Sequence, residues 1–404
     1  MIKLFILFGI SIICSGKLNA QIDKPLPVVF SIDAASLAAN KTKLNQHNQD
    51  ILPAYHQLLE DAKTALLFKP VSVMEKENLP PSSDKHDYMS IAPYFWPDST
   101  KPGGSPYINK DGLRNPEELA YKDKIYLAAV CDAVSTLALA WYFSGDNLYA
   151  EHAARILRVW FLNEDSKMNP NLNFAQAVKG RETGRGYGLI DTRHFVKLID
   201  AIGILKGAES WSVNDQAGMQ AWFTDFLNWM QTSKNGKDEM NATNNHGVWY
   251  DEQRLSYALF TGQKELAQQI VLSAKNRLDQ QMDEQGSFPL EMKRTISLHY
   301  TVFVLDPFFT IARLAEHTGI NFWTYETTNH KSLQKGFDAF LPYLLNDKKW
   351  EGPQILPFDF EEAVPLLLMG AEKYKCQSCI LRTKQILGNK AESSRLHLLT
   401  GVAF

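Results

Sequence analysis

The stretch NATNNHGVWYDEQRL (241–255) sets Asn244, Asn245 and His246 where a polar loop passes into a helix-like run. One asparagine is enough to cap a helix by accepting an orphan N–H, so the second is left without a task. If the helix begins near Gly247, then His246, Tyr250 and Arg254 recur at four-residue spacing and share roughly one face. A helix N-terminus also favours negative charge, which suits a carboxylate ligand. An amide and an imidazole at that point could hold an acid group and move a proton.

Three further clusters carry reactive side chains. In LEMKRTISLHY (290–300), Lys293 and Arg294 precede His299 and Tyr300; alone, this reads as a solvated basic turn followed by a core tyrosine. In FAQAVKGRETGRGYGLIDTRH (174–194), Gln176, Lys179, Arg181, Arg185, Arg193 and His194 crowd one segment. Its arginines could grip carboxylates bidentately or serve as surface charge. Tyr88, Tyr94, Phe95, Trp96 and Tyr107 gather in a third segment. Flat rings beside polar groups suit the apolar faces of sugars, and equally suit packing.

Other chemistries lack their patterns. No glycine-rich phosphate cradle ending in Lys-Ser/Thr, no H-E-x-x-H and no G-x-S-x-G occurs, and the ten histidines are scattered. Neither metal nor cofactor is expected. A glycosidase built on two carboxylates stays open, because Asp191, Asp251, Glu252 and Glu291 neighbour these segments. Cys376 and Cys379 form a lone C-x-x-C without the second pair that zinc requires; a small disulfide and two free thiols are both compatible with it. Cys131 sits in an apolar run and reads as core.

The elements that must position these groups are helical. Apolar residues recur at helical spacing over 125–145, 148–162, 194–207, 220–233, 252–262, 264–282 and 298–319. Several runs stop at Gly145, Gly207, Gly262 or Gly319, as helices tend to. Strand-like alternation is scarce. A train of paired antiparallel helices follows, able to stack as an open solenoid or to close into an α/α toroid around a cleft. Segments 86–112, 169–194 and 286–297 break the rhythm. Loops of that length in a helical scaffold are functional or disordered, and their aromatic content argues against disorder.

The first residues, MIKLFILFGISIICSGKLNAQ, pair Lys3 with an apolar run and a small Ala20, the pattern of a signal peptide cleaved before Gln21. Residues 1–20 are therefore expected to be a leader, and 21–404 one catalytic domain, exported to the periplasm or outside, with no membrane insertion. The 404 residues carry 42 basic and 45 acidic side chains, a net charge of −3. Such a balance does not advertise nucleic acid as a partner, and any polyanion must be met by local cations.

Taken together, YMSIAPYFWPD (88–98), NKDG (109–112), NNHGVWYDEQ (244–253) and LEMKRTISLHY (290–300) resemble, in that order, the alginate lyase superfamily of polysaccharide lyases. The likeness spans nearly the whole mature chain, and N-N-H-G-x-x-Y-D is its specific part. It implies an all-α, (α/α) toroid without the extra β-sandwich domain of longer relatives. It also implies β-elimination on an anionic polysaccharide such as alginate, polymannuronate, polyguluronate or glucuronan. By the same resemblance, Asn245 and His246 neutralise the sugar carboxylate, Arg294 assists, and Tyr300 is the catalytic acid and also a candidate base. His246 is the alternative base for one C5 epimer. Tyr94, Trp96, Gln176, Arg185, Asn244, Tyr250, Lys293 and His299 are the expected substrate contacts. Tyr300 lies six residues after Arg294 and seven after Lys293, so either cation could be the helper. Arg294 is preferred, because its fork fits a carboxylate.

Overall fold

A computed structural model describes residues 26–403 of the chain; the expected leader lies outside them. The N-terminal helices are α1 (Ala34–Asn45), α2 (Leu52–Leu66), α3 (Lys122–Ser144) and α4 (Asn147–Leu157). Next come α5 (Phe195–Leu205), α6 (Val213–Thr232), α7 (Lys234–Met240), α8 (Asn245–Phe260) and α9 (Lys264–Gln281). The series ends with α10 (Pro289–Met292), α11 (Ser297–Ala315), α12 (Leu333–Leu344), α13 (Val364–Tyr374), α14 (Gln377–Leu387) and α15 (Leu396–Leu399).

The order of packing gives the (α/α) toroid. Helices α3, α5, α8, α11 and α13 lie side by side in sequence order, each against the next, while α4, α9, α12 and α14 back them from outside. The inner helices are buried almost all round because they are enclosed on both sides, and α8 carries buried polar residues such as Asp251, Gln253 and Arg254 among its apolar ones. In α5 every residue but Lys197 is buried, and in α8 only His246 and Leu259 escape full burial. Helix α3 is long and apolar enough to cross a membrane by length and composition. Here it is a core helix, with Leu127, Val130, Val134, Leu137 and Leu139 buried against its neighbours.

The expected glycine stops are present: Gly145, Gly207, Gly262 and Gly319 all have positive φ, which glycine adopts without a Cβ clash. Helix starts were less legible. Helix α8 opens at Asn245, two residues before the start considered near Gly247, and the short charged α7 has no apolar period to announce it.

The non-helical segments are ordered and meet one another. Strand β1 (Met89–Ile91) pairs in parallel with β4 (Phe174–Ala177), joining the first segment to the second. Strands β2 (Phe95–Trp96) and β3 (Ile108–Asn109) close a hairpin inside the first. The third segment is tied to the first by Asp111, whose carboxylate accepts from the Thr295 N–H at 3.0 Å. Cys376 and Cys379 form a disulfide at the start of α14, one of the two states the sequence left open.

Candidate active site

Tyr300 stands in the first turn of α11, 5% exposed, and its hydroxyl donates to the Tyr94 hydroxyl at 3.2 Å. The Arg294 guanidinium carbon lies 3.5 Å from the centre of the Tyr300 ring. Arg294 is held there by Asp111, with Nε 3.0 and 3.1 Å from the two carboxylate oxygens and a further short bond from Nη2. Burial raises the phenol's pKa well above its ordinary value, and Arg294 opposes the shift. The resting residue is a neutral phenol, ready to give a proton.

On the neighbouring inner helix, α8 begins with Asn245 and His246. The Nδ1 of His246 lies 2.6 Å from Glu239 Oε1, on α7. A carboxylate only accepts, so Nδ1 carries the hydrogen and Nε2 is left for the cleft. The imidazole is tilted against Tyr187, ring centres 4.4 Å apart. Asn245 has no exposed surface. Its backbone N–H and side-chain Nδ2 both donate to Glu291, at 2.7 and 2.8 Å, and its Oδ1 has no partner. Glu291 thereby caps α8, a task the sequence suggested for an asparagine. Asn244 occupies the cap position, but its side chain makes no capping bond.

Arg185 completes the circuit. Its guanidinium lies 4.9 Å from the ring centres of both Phe95 and Tyr187, and it donates to Gln176 Oε1 at 3.2 Å. Gln176 adopts a positive φ of 48°, a conformation that costs a non-glycine residue about 1–3 kcal/mol and gathers at functional sites. Its Nε2 donates to Asp191, which also accepts from Tyr88, Ser90 and Lys124. The contacts thus run in a ring: Tyr94 and Phe95, Arg185, Tyr187, His246 and Asn245, Glu291, Arg294, Tyr300, and back to Tyr94.

Most expected contacts border this ring. Trp96 is partly exposed, its indole donating to Leu113 O at 2.9 Å, with Lys110 above its face. His299 stacks on Phe303 and pairs with Glu362 through Nδ1. Lys293 is exposed and forms no ion pair among the described residues, whereas the Arg294 guanidinium lies against the Tyr300 ring. Tyr250 is the correction. It is fully buried and its hydroxyl donates to Met230 O at 2.9 Å, so it packs α8 against α6 and cannot reach a substrate. Four-residue spacing from His246 places it on the same helix but not on the cleft.

Sequence reasoning gave no role to Glu239, Asp111 or Tyr187, which orient His246 and Arg294, although Asp111 lies within the NKDG element. A charged residue in a short helix and an aspartate in a turn give no signal of that kind. Three of the carboxylates that kept a glycosidase open are otherwise engaged, and the fourth, Glu252, is buried. Asp191 is the hub just described, Asp251 is salt-bridged to Arg277 at 2.7 Å, and Glu291 holds Asn245.

A toroid of helices whose cleft gathers an imidazole, an amide, a guanidinium and a phenol is the build of a polysaccharide lyase. The model of the Alginate lyase family matches residues 72–350. An alginate lyase from Bacteroides ovatus has 36% identity and a TM-score of 0.88, over 93% of this chain and 99% of that one. Alginate lyase A1-III from Sphingomonas species A1 shares the fold at 18% identity, with a TM-score of 0.56 over 87% of this chain and 89% of its own. A histidine-to-alanine variant of A1-III complexed with tetrasaccharide aligns at 16% identity and a TM-score of 0.62, over 95% and 99% of the two chains. No curated protein matches. The chain belongs to the alginate lyase family.

Proposed function

We propose that the protein cleaves alginate or a related 4-linked polyuronate by β-elimination, leaving an unsaturated uronate at the new end. The C5 proton of a uronate is weakly acidic while the neighbouring carboxylate keeps its charge. Neutralising that carboxylate with positioned donors stabilises the enediolate-like intermediate. Arg294, His246 and Asn245 are the groups for this task, and Tyr300 protonates the leaving oxygen. Where the C5 proton lies opposite that oxygen, His246 Nε2 receives it while the neutral Tyr300 gives its proton to the oxygen; where it lies on the same face, Tyr300 must first lose its proton to solvent, with Arg294 stabilising the phenolate, and then carries the C5 proton to the leaving oxygen. Tyr94, Trp96, Gln176, Arg185, Asn244 and His299 line the approach.

One observation carries this reading: a buried neutral phenol lies against a guanidinium, in the same ring of contacts as an imidazole whose Nε2 has no hydrogen-bond partner among the described residues. A variant of alginate lyase A1-III is complexed with a tetrasaccharide, which supports a polysaccharide substrate for this chain. The leader-like N-terminus and the Cys376–Cys379 disulfide, which persists in oxidising compartments, support export to the periplasm or beyond.

The test is to incubate the protein with alginate, its mannuronate-rich and guluronate-rich blocks, and glucuronan, following ultraviolet absorbance of the unsaturated product. Products with new reducing ends but no double bond would replace elimination by hydrolysis.

A further inference from the structure

The corner of the site that should receive the substrate's carboxylate already holds a carboxyl group of the protein. Glu291 is 1% exposed on α10, and both its oxygens are engaged by one residue, Asn245. No ion pair reaches it among the described residues. Arg294 is committed to Asp111, Lys293 next to it is exposed, and His246 is turned to Glu239 on α7. With Glu291 ionised, the Asn245 amide must point its Nδ2 at the carboxylate, and its buried Oδ1 is stranded without a donor. An enclosed acceptor of that kind costs about 1–3 kcal/mol. An incoming uronate would then meet a carbonyl oxygen backed by a carboxylate.

We propose that Glu291 takes up a proton from solvent as the uronate binds and, as a neutral acid, donates to Asn245 Oδ1, so that the amide turns over and offers its Nδ2 hydrogens to the sugar carboxylate. The inference rests on the lyase reading of this site. Every polar atom is then satisfied: Glu291 Oε1 still accepts the Asn245 N–H, its Oε2–H donates to Oδ1, and Nδ2 meets the ligand. One proton enters on binding and returns to solvent on product release, so charge balances over the cycle. Asn245 has no exposed surface, so the turn of its amide must accompany the uncovering of this residue as the uronate arrives. A single proton alters both the sign of the charge and the direction of the hydrogen bond. Burial already raises the Glu291 pKa, against the two Asn245 hydrogen bonds and the charges of Arg294 and His246. Glu291 acts through Asn245 and is a positioning residue.

Glu291→Gln mimics the neutral acid, its amide oxygen accepting and its Nε2 donating. Glu291→Ala should lower kcat/KM by about 100-fold, as loss of a preorganised donor does, and Glu291→Gln should stand at least about tenfold above it. In the wild type, the neutral form fades as pH rises through the raised pKa, so KM climbs on that limb; in Glu291→Gln this limb should be flat. In a Tyr300→Phe background, calorimetry of uronate-tetramer binding in buffers of different ionisation enthalpy should show one more proton taken up with Glu291 than with Gln. Infrared difference spectra of glutamate-carboxyl-labelled Tyr300→Phe protein should gain a protonated-acid band on binding, a readout that needs no change at 291. A glutamine variant as inactive as the alanine variant, equal proton counts, or no such band would overturn the inference. If instead Asn245→Ala and Tyr300→Phe both keep full activity, it is the site reading that fails.

Discussion

The imidazole of His246 and the carboxylate of Glu239 form a dyad, Nδ1 to Oε1 at 2.6 Å, with the carboxylate 1% exposed. Burial leaves Glu239 nothing to do but accept, so the hydrogen on Nδ1 is fixed and the ring plane with it. Glu239→Ala should free the ring to rotate and change tautomer. We expect kcat to fall by about 100-fold, within the range of a general acid–base contribution, with the fold retained. Steady-state kinetics measures the loss, and nitrogen NMR of His246 reads the tautomer.

Tyr300→Phe removes the hydroxyl of the ring that lies against Arg294. Its partner Tyr94 remains, and the ring keeps its contact with the guanidinium, so packing is preserved. Activity on the preferred uronan should drop by about 10²–10⁴-fold, while oligosaccharide affinity changes little. Product absorbance near the wild-type rate would remove Tyr300 from the chemistry.

Arg294 and Lys293 are separated by the same logic. Arg294→Ala breaks the Asp111 clamp and uncovers the phenol, and should cost about 10²-fold or more in kcat/KM, as loss of a preorganised charge does. Arg294→Lys restores charge without the fork and should recover only part of it. Lys293→Ala, at an exposed position, should leave kcat unaltered and act, if anywhere, on KM at low salt. Equal losses at both positions would contradict the resting geometry.

The fold was legible because apolar periodicity and glycine stops are local properties, and the inner helices carry both. The N-N-H-G and H-Y elements were legible as motifs, and three irregular segments could be suspected of meeting. What the sequence concealed is which atoms face which. Tyr250 has the right spacing and type, yet burial decides against it. Glu291 looks like one carboxylate among several, and only its two bonds to Asn245 give it a role. Glu239 lies seven residues before His246 on a separate helix, and no spacing rule connects them.

Tyr250→Phe tests that correction. Its hydroxyl donates to Met230 O inside the protein, and losing this bond should lower stability by about 1 kcal/mol with elimination activity unaffected. Burial pushes the Tyr250 phenol up to about 12 from an unfolded value near 10, with Arg254 opposing. The protonated phenol is the form the folded state retains, so the unfolded chain loses its proton first as pH rises. The wild type's advantage over Tyr250→Phe should therefore hold below about pH 10 and shrink toward about pH 12, by roughly 1.4 kcal/mol per unit at most. Chemical denaturation of the two proteins at neutral and alkaline pH measures it. A loss of activity without loss of stability in Tyr250→Phe would return the residue to the cleft.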